Sequence, residues 1–170
     1  MDFLKLAADR YSVRKFQSTP VPQELLEQIL KAGQLAPTAV NFQPQKVLVL
    51  RSAESLEKLK KCTECHFNAP LALIVCSDSS RSWTRPFDGK SSGDIDASIV
   101  ATHMMLEAAD LGLGSTWVMF FRPDDVKAQF ALPAGVEPVA ILPMGYPADD
   151  AAPAPKHSEC RPMEELAEFL

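Results

Sequence analysis

The sequence predicts a mixed α+β fold, and three observations lead to this prediction. Short apolar runs rich in β-branched residues are typical of buried strands, and they lie at 46–50, at 71–76 and from 136 onward. Apolar residues recur at helical spacing over 22–33 and over 94–111. Helices and strands follow one another without regular βαβ alternation, which favours an α+β fold over a doubly wound sheet.

The first half of the chain predicts three helices and two strands, in the order helix, helix, strand, helix, strand, at 2–10, 22–33, 46–50, 53–61 and 71–76. Pro22 is typical of a helix start, and Gly33 is interpreted as the end of that helix. The segment that follows, 77–93, is rich in Ser, Pro and Gly and therefore predicts a loop.

The helix predicted over 94–111 carries apolar residues around most of its circumference. A helix exposed on one side would not show this pattern, so we expect it to be buried or to face a partner. Gly112 and Gly114 are interpreted as its end. The rest of the chain predicts a strand, a short helix, a strand, an extended Pro- and Ala-rich connector and an amphipathic stretch, at 115–121, 123–130, 136–146, 147–156 and 162–170.

Composition and charge narrow the class of protein. The 170 residues, 46% of them hydrophobic, suffice for one domain over 1–170, with an extended C-terminal segment at about 147–170. Acidic residues outnumber basic ones by 22 to 17, which disfavours a nucleic-acid partner and favours a small anionic ligand. No apolar run is long enough for a signal peptide or a membrane span. We therefore expect a soluble, cytoplasmic protein without membrane contact.

Arg10, Ser12 and Arg14 stand at alternate positions near the N-terminus. In an extended segment, residues two apart point the same way, so two guanidinium groups and a hydroxyl would face one side. Guanidinium binds phosphate in bidentate fashion, and such a cluster can fix an anionic ligand without a basic surface. The alternative is a basic edge that only contacts solvent.

Two further polar segments are candidate ligand sites. Between a helix and a strand, Thr38, Asn41 and Gln43 supply a hydroxyl and two carboxamides, which suit the edge of a heterocycle with alternating C=O and N–H groups. This loop is equally compatible with a proline-rich turn. Near the C-terminus, Lys156 and Arg161 follow the connector, and there the alternative is a pair of solvated basic side chains.

The sequence CTECH, residues 62–66, has the Cys-x-x-Cys-His spacing of covalent haem attachment. Such attachment is expected in exported proteins, and no second iron ligand is evident. The alternatives are a metal or redox role for Cys62, Cys65 and His66, or ordinary surface cysteines, which we prefer. We expect no bound metal and free thiols for all four cysteines.

Taken in order, six motifs resemble those of the FMN-dependent nitroreductase family over nearly the whole chain. They are Arg-x-Ser-x-Arg at 10–14, LAPTAVNFQPQ at 35–45, Ala69-Pro70, the helix and turn of 94–118, PMGYP at 143–147, and PAPK with RPMEEL at 153–166. The resemblance implies a nitroreductase-like fold with a central, mainly antiparallel sheet flanked by helices. It also implies an intertwined homodimer, dimerised through the long helix, with two FMN sites at the subunit interface.

Carried over residue by residue, the resemblance implies an FMN site. Arg10 and Ser12 are expected to hold the phosphate, and Arg14 to reach the ribityl and pyrimidine side of the flavin. Arg161 is expected to return to the phosphate, with Lys156 a weaker candidate. The other implied cofactor contacts are Tyr11, Gly145 and, from the partner subunit, Pro37, Thr38, Ala39, Asn41 and Gln43.

The implied activity is that of an NAD(P)H-dependent FMN oxidoreductase. Hydride from NADH or NADPH reaches FMN, and electrons pass by a ping-pong route to a nitroaromatic, a quinone or a similar small-molecule acceptor. The cofactor performs this chemistry, which agrees with the lack of a catalytic dyad, and Arg14 would stabilise negative charge on the reduced ring. The alternatives are a flavin-binding sensor or carrier with little turnover, and a haem- or metal-linked electron carrier through Cys62, Cys65 and His66.

The chain departs from the family pattern at Tyr11, where Arg or His is common, and at Gln45, where Trp is common. It also lacks the insertions that cover the flavin in larger relatives, so we expect residues 78–93 and 117–122 to shape the substrate site. Stacking on a flat substrate is expected from the aromatic residues there, with core burial the alternative for Trp117 and Phe120. These residues are Trp83, Phe87, Trp117, Phe120 and Phe121.

Overall fold

A four-stranded antiparallel sheet forms the centre of the computed structural model, which describes residues 2–170. Its strands are β1 (Gln45–Leu50), β2 (Leu71–Asp78), β3 (Gly114–Ser115) and β4 (Val136–Gly145). The strand order is β1-β2-β4-β3, and each neighbouring pair is antiparallel. The predicted α+β fold with a mainly antiparallel sheet is confirmed.

Among the described residues, six α-helices accompany the sheet: α1 (Phe3–Asp9), α2 (Gln23–Leu35), α3 (Ala53–Lys60), α4 (Gly93–Asp110), α5 (Pro123–Phe130) and α6 (Met163–Leu166). Short 3-10 turns lie at Ala39–Asn41 and Pro155–Ser158. The helices at 22–33, 53–61, 94–111 and 123–130 were thus predicted correctly to within about two residues, the usual uncertainty of helix ends.

Strand β2 divides the core into two layers. Leu71, Leu73 and Val75 pack with α2 and α4 on one face, whereas Ile74 and Cys76 pack with α3 and α5 on the other. This division follows from the alternation of side chains along a strand. Each Leu or Ile that is fully buried stabilises the fold by about 1.5–3 kcal/mol relative to exposure. Both faces of the sheet are therefore covered, which explains the continuous apolar run of β2.

Helix α4 has an apolar surface on two sides. One side packs on α2 and the sheet through residues that include Val100 and Met104. An added Cβ at Gly33 of α2 would lie 2.8 Å from Met104 Cγ, so the glycine serves close helix packing. The helix continues past Gly33 to Leu35, so Gly33 lies within the last turn of α2, and its absence of a side chain serves packing on Met104 rather than ending the helix. On the other side Ile95 is 51% exposed, and a partner for this side of the helix stays a prediction.

The strand predicted over 115–121 is wrong beyond Ser115. Val118 makes an isolated bridge to Ile141, and the chain then leaves the sheet. Its backbone groups find other partners there: the Phe120 carbonyl accepts from Thr63 Oγ1, and the Arg122 N–H donates to the Cys62 carbonyl at 3.0 Å. The apolar, aromatic composition that favours a strand is thus overridden by bonding to the 61–63 turn.

The two ends of the chain lie side by side. Residues 146–151 run along residues 11–17, with backbone bonds from Gln17 N–H to the Tyr146 carbonyl and from Ala148 N–H to the Lys15 carbonyl. Further along, His157 Nε2 lies 3.0 Å from the Ala8 carbonyl. The C-terminal segment is thereby held against the same residues that carry the predicted phosphate site.

Candidate functional site

Residues 10–14 form an extended edge, hereafter the N-terminal edge, that lies on β3. Val13 N–H donates to the Ser115 carbonyl at 3.0 Å, and Ser12 bridges Ser115 in parallel. Val13 itself is buried, at 2% exposure, against Gly114. Because side chains alternate along an extended segment, Ser12 and Arg14 point away from Val13. The sheet therefore fixes the direction in which the predicted phosphate ligands project.

Gly114 makes this arrangement possible. A Cβ at Gly114 would lie 2.5 Å from Val13 Cγ2 and 2.7 Å from Val13 Cβ, distances that real side chains do not adopt. Gly112, in contrast, has a φ of +77° and ends α4 as predicted. The sequence interpretation that both glycines end the helix is therefore incomplete, because Gly114 serves the contact between the N-terminal edge and β3.

The charges of the N-terminal edge are available to a ligand. Arg14 Nη1 donates to the Ser12 carbonyl at 3.1 Å, and within residues 2–170 neither Arg10 nor Arg14 forms a salt bridge. Two unpaired guanidinium groups beside a half-buried hydroxyl match the donors that a phosphate requires. In chemical type, the N-terminal edge fits the phosphate of FMN.

The groove beside Arg10 carries charges of both signs. It has a volume of about 380 Å³, lies between α1 and the end of α4, and its charged lining residues are Asp2, Asp9, Asp110, Lys5 and Arg10 itself. Lys5 pairs with Asp9. Asp2 and Asp110 offset the charge of Arg10 there, so we expect a phosphate to bind instead beside Ser12 and Arg14.

The C-terminal candidates lie in the segment that packs on residues 8–17. Lys156 is part of the 3-10 turn whose His157 contacts Ala8, so the turn is adjacent to the N-terminal edge. Tyr11 holds this segment through a hydroxyl bond to the Ala151 carbonyl at 3.4 Å and an edge-on contact with the His157 ring. Arg161 lies beyond the turn and is exposed. Its contact with the phosphate stays a prediction, as does a cofactor contact for Tyr11.

The second polar segment, 37–43, hereafter the amide loop, connects α2 to β1. Gln43 N–H donates to Thr38 Oγ1 at 3.1 Å, and Gln43 Nε2 donates to Asn41 Oδ1 at 3.1 Å. Val40, Asn41 and Gln43 have φ values of 53°, 56° and 51°. A residue other than glycine in this region costs about 1–3 kcal/mol, so the loop stores strain. Its Asn41 and Gln43 side chains are exposed.

One residue that the sequence analysis missed contacts this loop. Asp96 on α4 is 2% exposed and accepts a hydrogen bond from Ala39 N–H at 2.8 Å and one from the Ser92 hydroxyl at 2.7 Å. The helical spacing could have indicated this residue, because Asp96 stands four residues before the buried Val100 and so lies on the same face of the helix. That spacing places a carboxylate on the buried face of the helix, where it requires donors.

Gly145 has a local packing reason to be glycine. A Cβ there would lie 2.8 Å from Pro70 Cδ and 3.5 Å from Phe16 Cδ1. The residue ends β4, where it pairs with Gly114. The side-chain position is thus filled by Pro70, and the predicted approach of the Gly145 backbone to the flavin ring stays a prediction.

Cys62 and Thr63 of the Cys62–His66 segment are buried in the core, whereas Glu64 is exposed and Cys65 and His66 are half-buried. Cys62 is fully buried and donates to the Lys58 carbonyl, so its interpretation as a surface cysteine is wrong. Burial raises the pKa of Cys62, and the nearby Asp125 carboxylate adds to this. Burial and Lys60 lower the pKa of His66, whose Nδ1 accepts from Asn68 N–H. A buried, protonated thiol is not accessible for covalent attachment.

Four of the five predicted substrate-shaping aromatic residues fall into two groups, and the fifth, Trp83, is half-buried. Trp117 packs against the α2–α4 core, and Phe121 against the α3–α5 core. Phe87 and Phe120 are exposed, at 93% and 71%. Exposed Met119 and Phe120 line a small pocket of about 210 Å³ together with residues 62–64. For Trp117 the core alternative is thus correct, whereas for Phe120 it is wrong.

Across residues 2–170, no group of three His, Cys, Asp or Glu side chains is placed to hold a metal ion. No helix in the described chain has both the length and the apolarity needed to cross a membrane. Neither finding conflicts with a cofactor held by the N-terminal edge and the amide loop.

Comparison with known proteins identifies the family. The model of the nitroreductase family matches residues 7–72 and 62–146. A Methanothermobacter thermautotrophicus protein named for NADH dehydrogenase/NAD(P)H nitroreductase is 36% identical over 160 residues, which cover 88% of this chain and 80% of that protein. A nitroreductase family protein from Clostridium difficile 630 has 44% identity and a TM-score of 0.93, with 99% and 98% of the two chains covered. An FMN-dependent nitroreductase from Clostridium difficile R20291 has 27% identity and a TM-score of 0.82, with 98% of each chain covered. The chain belongs to the nitroreductase family.

Proposed function

We propose that the protein is an FMN-dependent oxidoreductase. It takes hydride from NADH or NADPH and passes electrons by a ping-pong route to a nitroaromatic, a quinone or a related small acceptor. The relatives named for NAD(P)H nitroreductase and FMN-dependent nitroreductase support this activity. The structural observation that carries the proposal is the N-terminal edge, where Arg10 and Arg14 lie beside Ser12 and form no salt bridge within the described residues 2–170.

The chain's own residues bind and orient the cofactor in this proposal. Arg10 and Ser12 hold the phosphate, and Arg161 and Lys156 approach it from the adjacent C-terminal segment. Arg14 places positive charge near the pyrimidine end of the ring, where negative charge develops during reduction. FMN supplies the hydride and electron transfer. Tyr11 and Gly145 complete the contacts from the same copy.

The amide loop belongs to the site of a second copy. Pro37, Thr38, Ala39, Asn41 and Gln43 would contact the FMN held by the partner's N-terminal edge. Two features support a homodimer of this kind: the outer face of α4 is apolar around Ile95, and the amide groups of Asn41 and Gln43 face solvent in the single chain. A surface formed by one turn of α4 and the amide loop would then cover the partner's cofactor. A cytoplasmic location is part of this proposal.

An absorbance spectrum and a flavin titration test the proposal directly. The purified protein is expected to be yellow, or to bind added FMN, and to be bleached under anaerobic conditions by NADH or NADPH. Protein that neither carries nor binds FMN would contradict the proposal. Bound FMN that neither nicotinamide can reduce would instead support a flavin carrier or sensor.

A further inference from the structure

The amide loop needs an anchor outside itself. Three of its residues, Val40, Asn41 and Gln43, have left-handed backbone conformations, although none is glycine. Such conformations persist only where surrounding groups hold them. The bonds from Gln43 to Thr38 and Asn41 join the loop to itself, so they shape it without fixing its position on the domain.

Asp96 provides a bond from the loop to α4. Its Oδ1 accepts from Ala39 N–H at 2.8 Å, and its Oδ2 accepts from the Ser92 hydroxyl at 2.7 Å. An ionised carboxylate is an acceptor only, so these two donors match its two oxygens. Ser92 directly precedes α4, and Asp96 lies in the first turn of the helix. The amide loop is therefore tied to the start of α4.

The start of α4 is itself fixed on the sheet. A Cβ at Gly93 would lie 2.2 Å from Ser77 Oγ and 2.6 Å from Ser82 Oγ, so the first residue of the helix is in close contact with the end of β2 and the turn after it. The carboxylate thus connects a strained, exposed loop to a rigid part of the fold. Ile95, the residue before Asp96, is on the exposed apolar face of the same turn.

We propose that Asp96 is a positioning residue that holds the amide loop in its left-handed conformation, ready to contact the flavin of a second copy. The inference rests on the proposed function, because the loop's target is that flavin. By holding the loop before the cofactor arrives, Asp96 reduces the ordering required at binding, which is how preorganisation increases affinity. The helical turn that carries Asp96 then both faces the second copy and directs the loop that enters its cleft.

Two variants and a matched control test this role in the full-length protein. Asp96→Ala removes both acceptors, whereas Asp96→Asn keeps an oxygen that can accept from Ala39 N–H. Asp94→Asn removes a carboxylate from the same first turn but from an exposed side chain, so it controls for helix charge. The readouts are hydrogen exchange of the Ala39 amide without cofactor, and the Kd for FMN from flavin fluorescence.

Asp96→Ala is expected to raise both the exchange rate of the Ala39 amide and the Kd for FMN by about tenfold or more, the effect of losing a charge-assisted hydrogen bond. Asp96→Asn should recover most of the affinity, and Asp94→Asn should match the wild type in both readouts. If Asp96→Ala does not fold, Ser92→Ala takes its place, because it frees one carboxylate oxygen and should weaken the loop's anchor in the same direction.

The outcomes separate this inference from the proposed function. If wild-type protein binds FMN and Asp96→Ala has unchanged exchange and Kd, Asp96 does not position the loop. A variant with a lower melting temperature but wild-type Kd at 20 °C would show a structural role only and would also overturn the inference. If wild-type protein binds no FMN, the proposed function fails, and the inference fails with it, because no flavin remains for the loop to contact.

Discussion

The N-terminal edge and the amide loop carry most of the predicted cofactor contacts, but the fold holds them in opposite ways. The N-terminal edge is paired to β3 and packed on Gly114, none of its residues has a positive φ, and within residues 2–170 neither of its arginines forms a salt bridge. The amide loop is exposed, has three left-handed residues and is anchored by a buried carboxylate. Regular sheet pairing thus positions the residues of the charged contacts, whereas a buried carboxylate on α4 anchors the strained loop that carries the amide contacts.

The largest expected effect comes from removing the close approach that positions the N-terminal edge. Gly114→Ala places a methyl group 2.5 Å from Val13 Cγ2, which must displace either Val13 or β3. Overpacking of this kind destabilises by about 1–3 kcal/mol, and the displaced edge should also lose FMN. Urea unfolding and flavin titration measure the two effects.

Gly112→Ala serves as the control for Gly114→Ala, since nothing lies within 4 Å of its added Cβ and only its left-handed φ is strained. It should lose stability without losing flavin affinity. Equal loss of affinity in the two variants would contradict a specific role for Gly114.

The next largest effect is expected from removing a positive charge from the N-terminal edge. Arg10→Ala should raise the Kd for FMN about 10- to 100-fold, the range for a lost hydrogen bond to a charged group, with the melting temperature of the flavin-free protein little changed. Arg85→Ala is the matched control, because Arg85 is exposed and paired with Asp88 in the loop after β2. Wild-type affinity in Arg10→Ala would remove Arg10 from the phosphate site.

Relief of strain in the amide loop should increase the stability of the protein, whereas the substitutions above lower its stability or its affinity for FMN. Val40 is β-branched, exposed and left-handed, whereas Asn adopts this region several-fold more often than most residues. Val40→Asn is therefore expected to stabilise the protein by about 1 kcal/mol, a part of the roughly 1–2 kcal/mol that a left-handed conformation costs. Urea denaturation of the flavin-free protein gives this value. A destabilised Val40→Asn variant would show that the Val40 side chain, not the backbone, determines the loop's conformation.

The smallest effect concerns Cys62 and Cys76, the buried thiols of the α3–α5 core, which lie apart from both regions. Burial raises the pKa of Cys76 to about 11, and the pKa of Cys62 is raised as well, so both thiols stay protonated in native protein near pH 8. Cys160 is exposed and should react first with a thiol reagent. The pKa values of Cys62 and Cys76 are higher in the folded protein than in the unfolded chain. The free energy of unfolding therefore falls as the pH rises above the unfolded pKa of these thiols. Rapid reaction of all four cysteines at pH 8 in 0 M denaturant would contradict the buried placement.

The sequence was sufficient for the elements that periodicity and composition determine. The continuous apolar run of β2, the spacing of α4 and the order of the family motifs predicted the fold and the family correctly. The strand expected over 115–121 failed because backbone bonding to the 61–63 turn depends on tertiary contacts that local propensity does not contain.

Contacts distant in sequence also limited the prediction of the site. Gly114 has a role only because Val13, about a hundred residues away, packs on it. Asp96 has a role only because Ala39 N–H, from a distant loop, donates a hydrogen bond to it. Neither partner is indicated by the residues around Gly114 or Asp96, although the placement of an acid on the buried face of α4 was a sign that a donor had to exist.

Subunit complementation tests most directly whether Arg10 of one copy and Asn41 of another complete a single flavin site. Arg10→Ala and Asn41→Ala homodimers should each retain FMN poorly. In a heterodimer of the two variants, one site combines the intact Arg10 of one chain with the intact Asn41 of the other, so co-expressed, differently tagged chains should recover FMN in the doubly tagged fraction. A doubly tagged heterodimer that binds no more FMN than either homodimer would contradict the account.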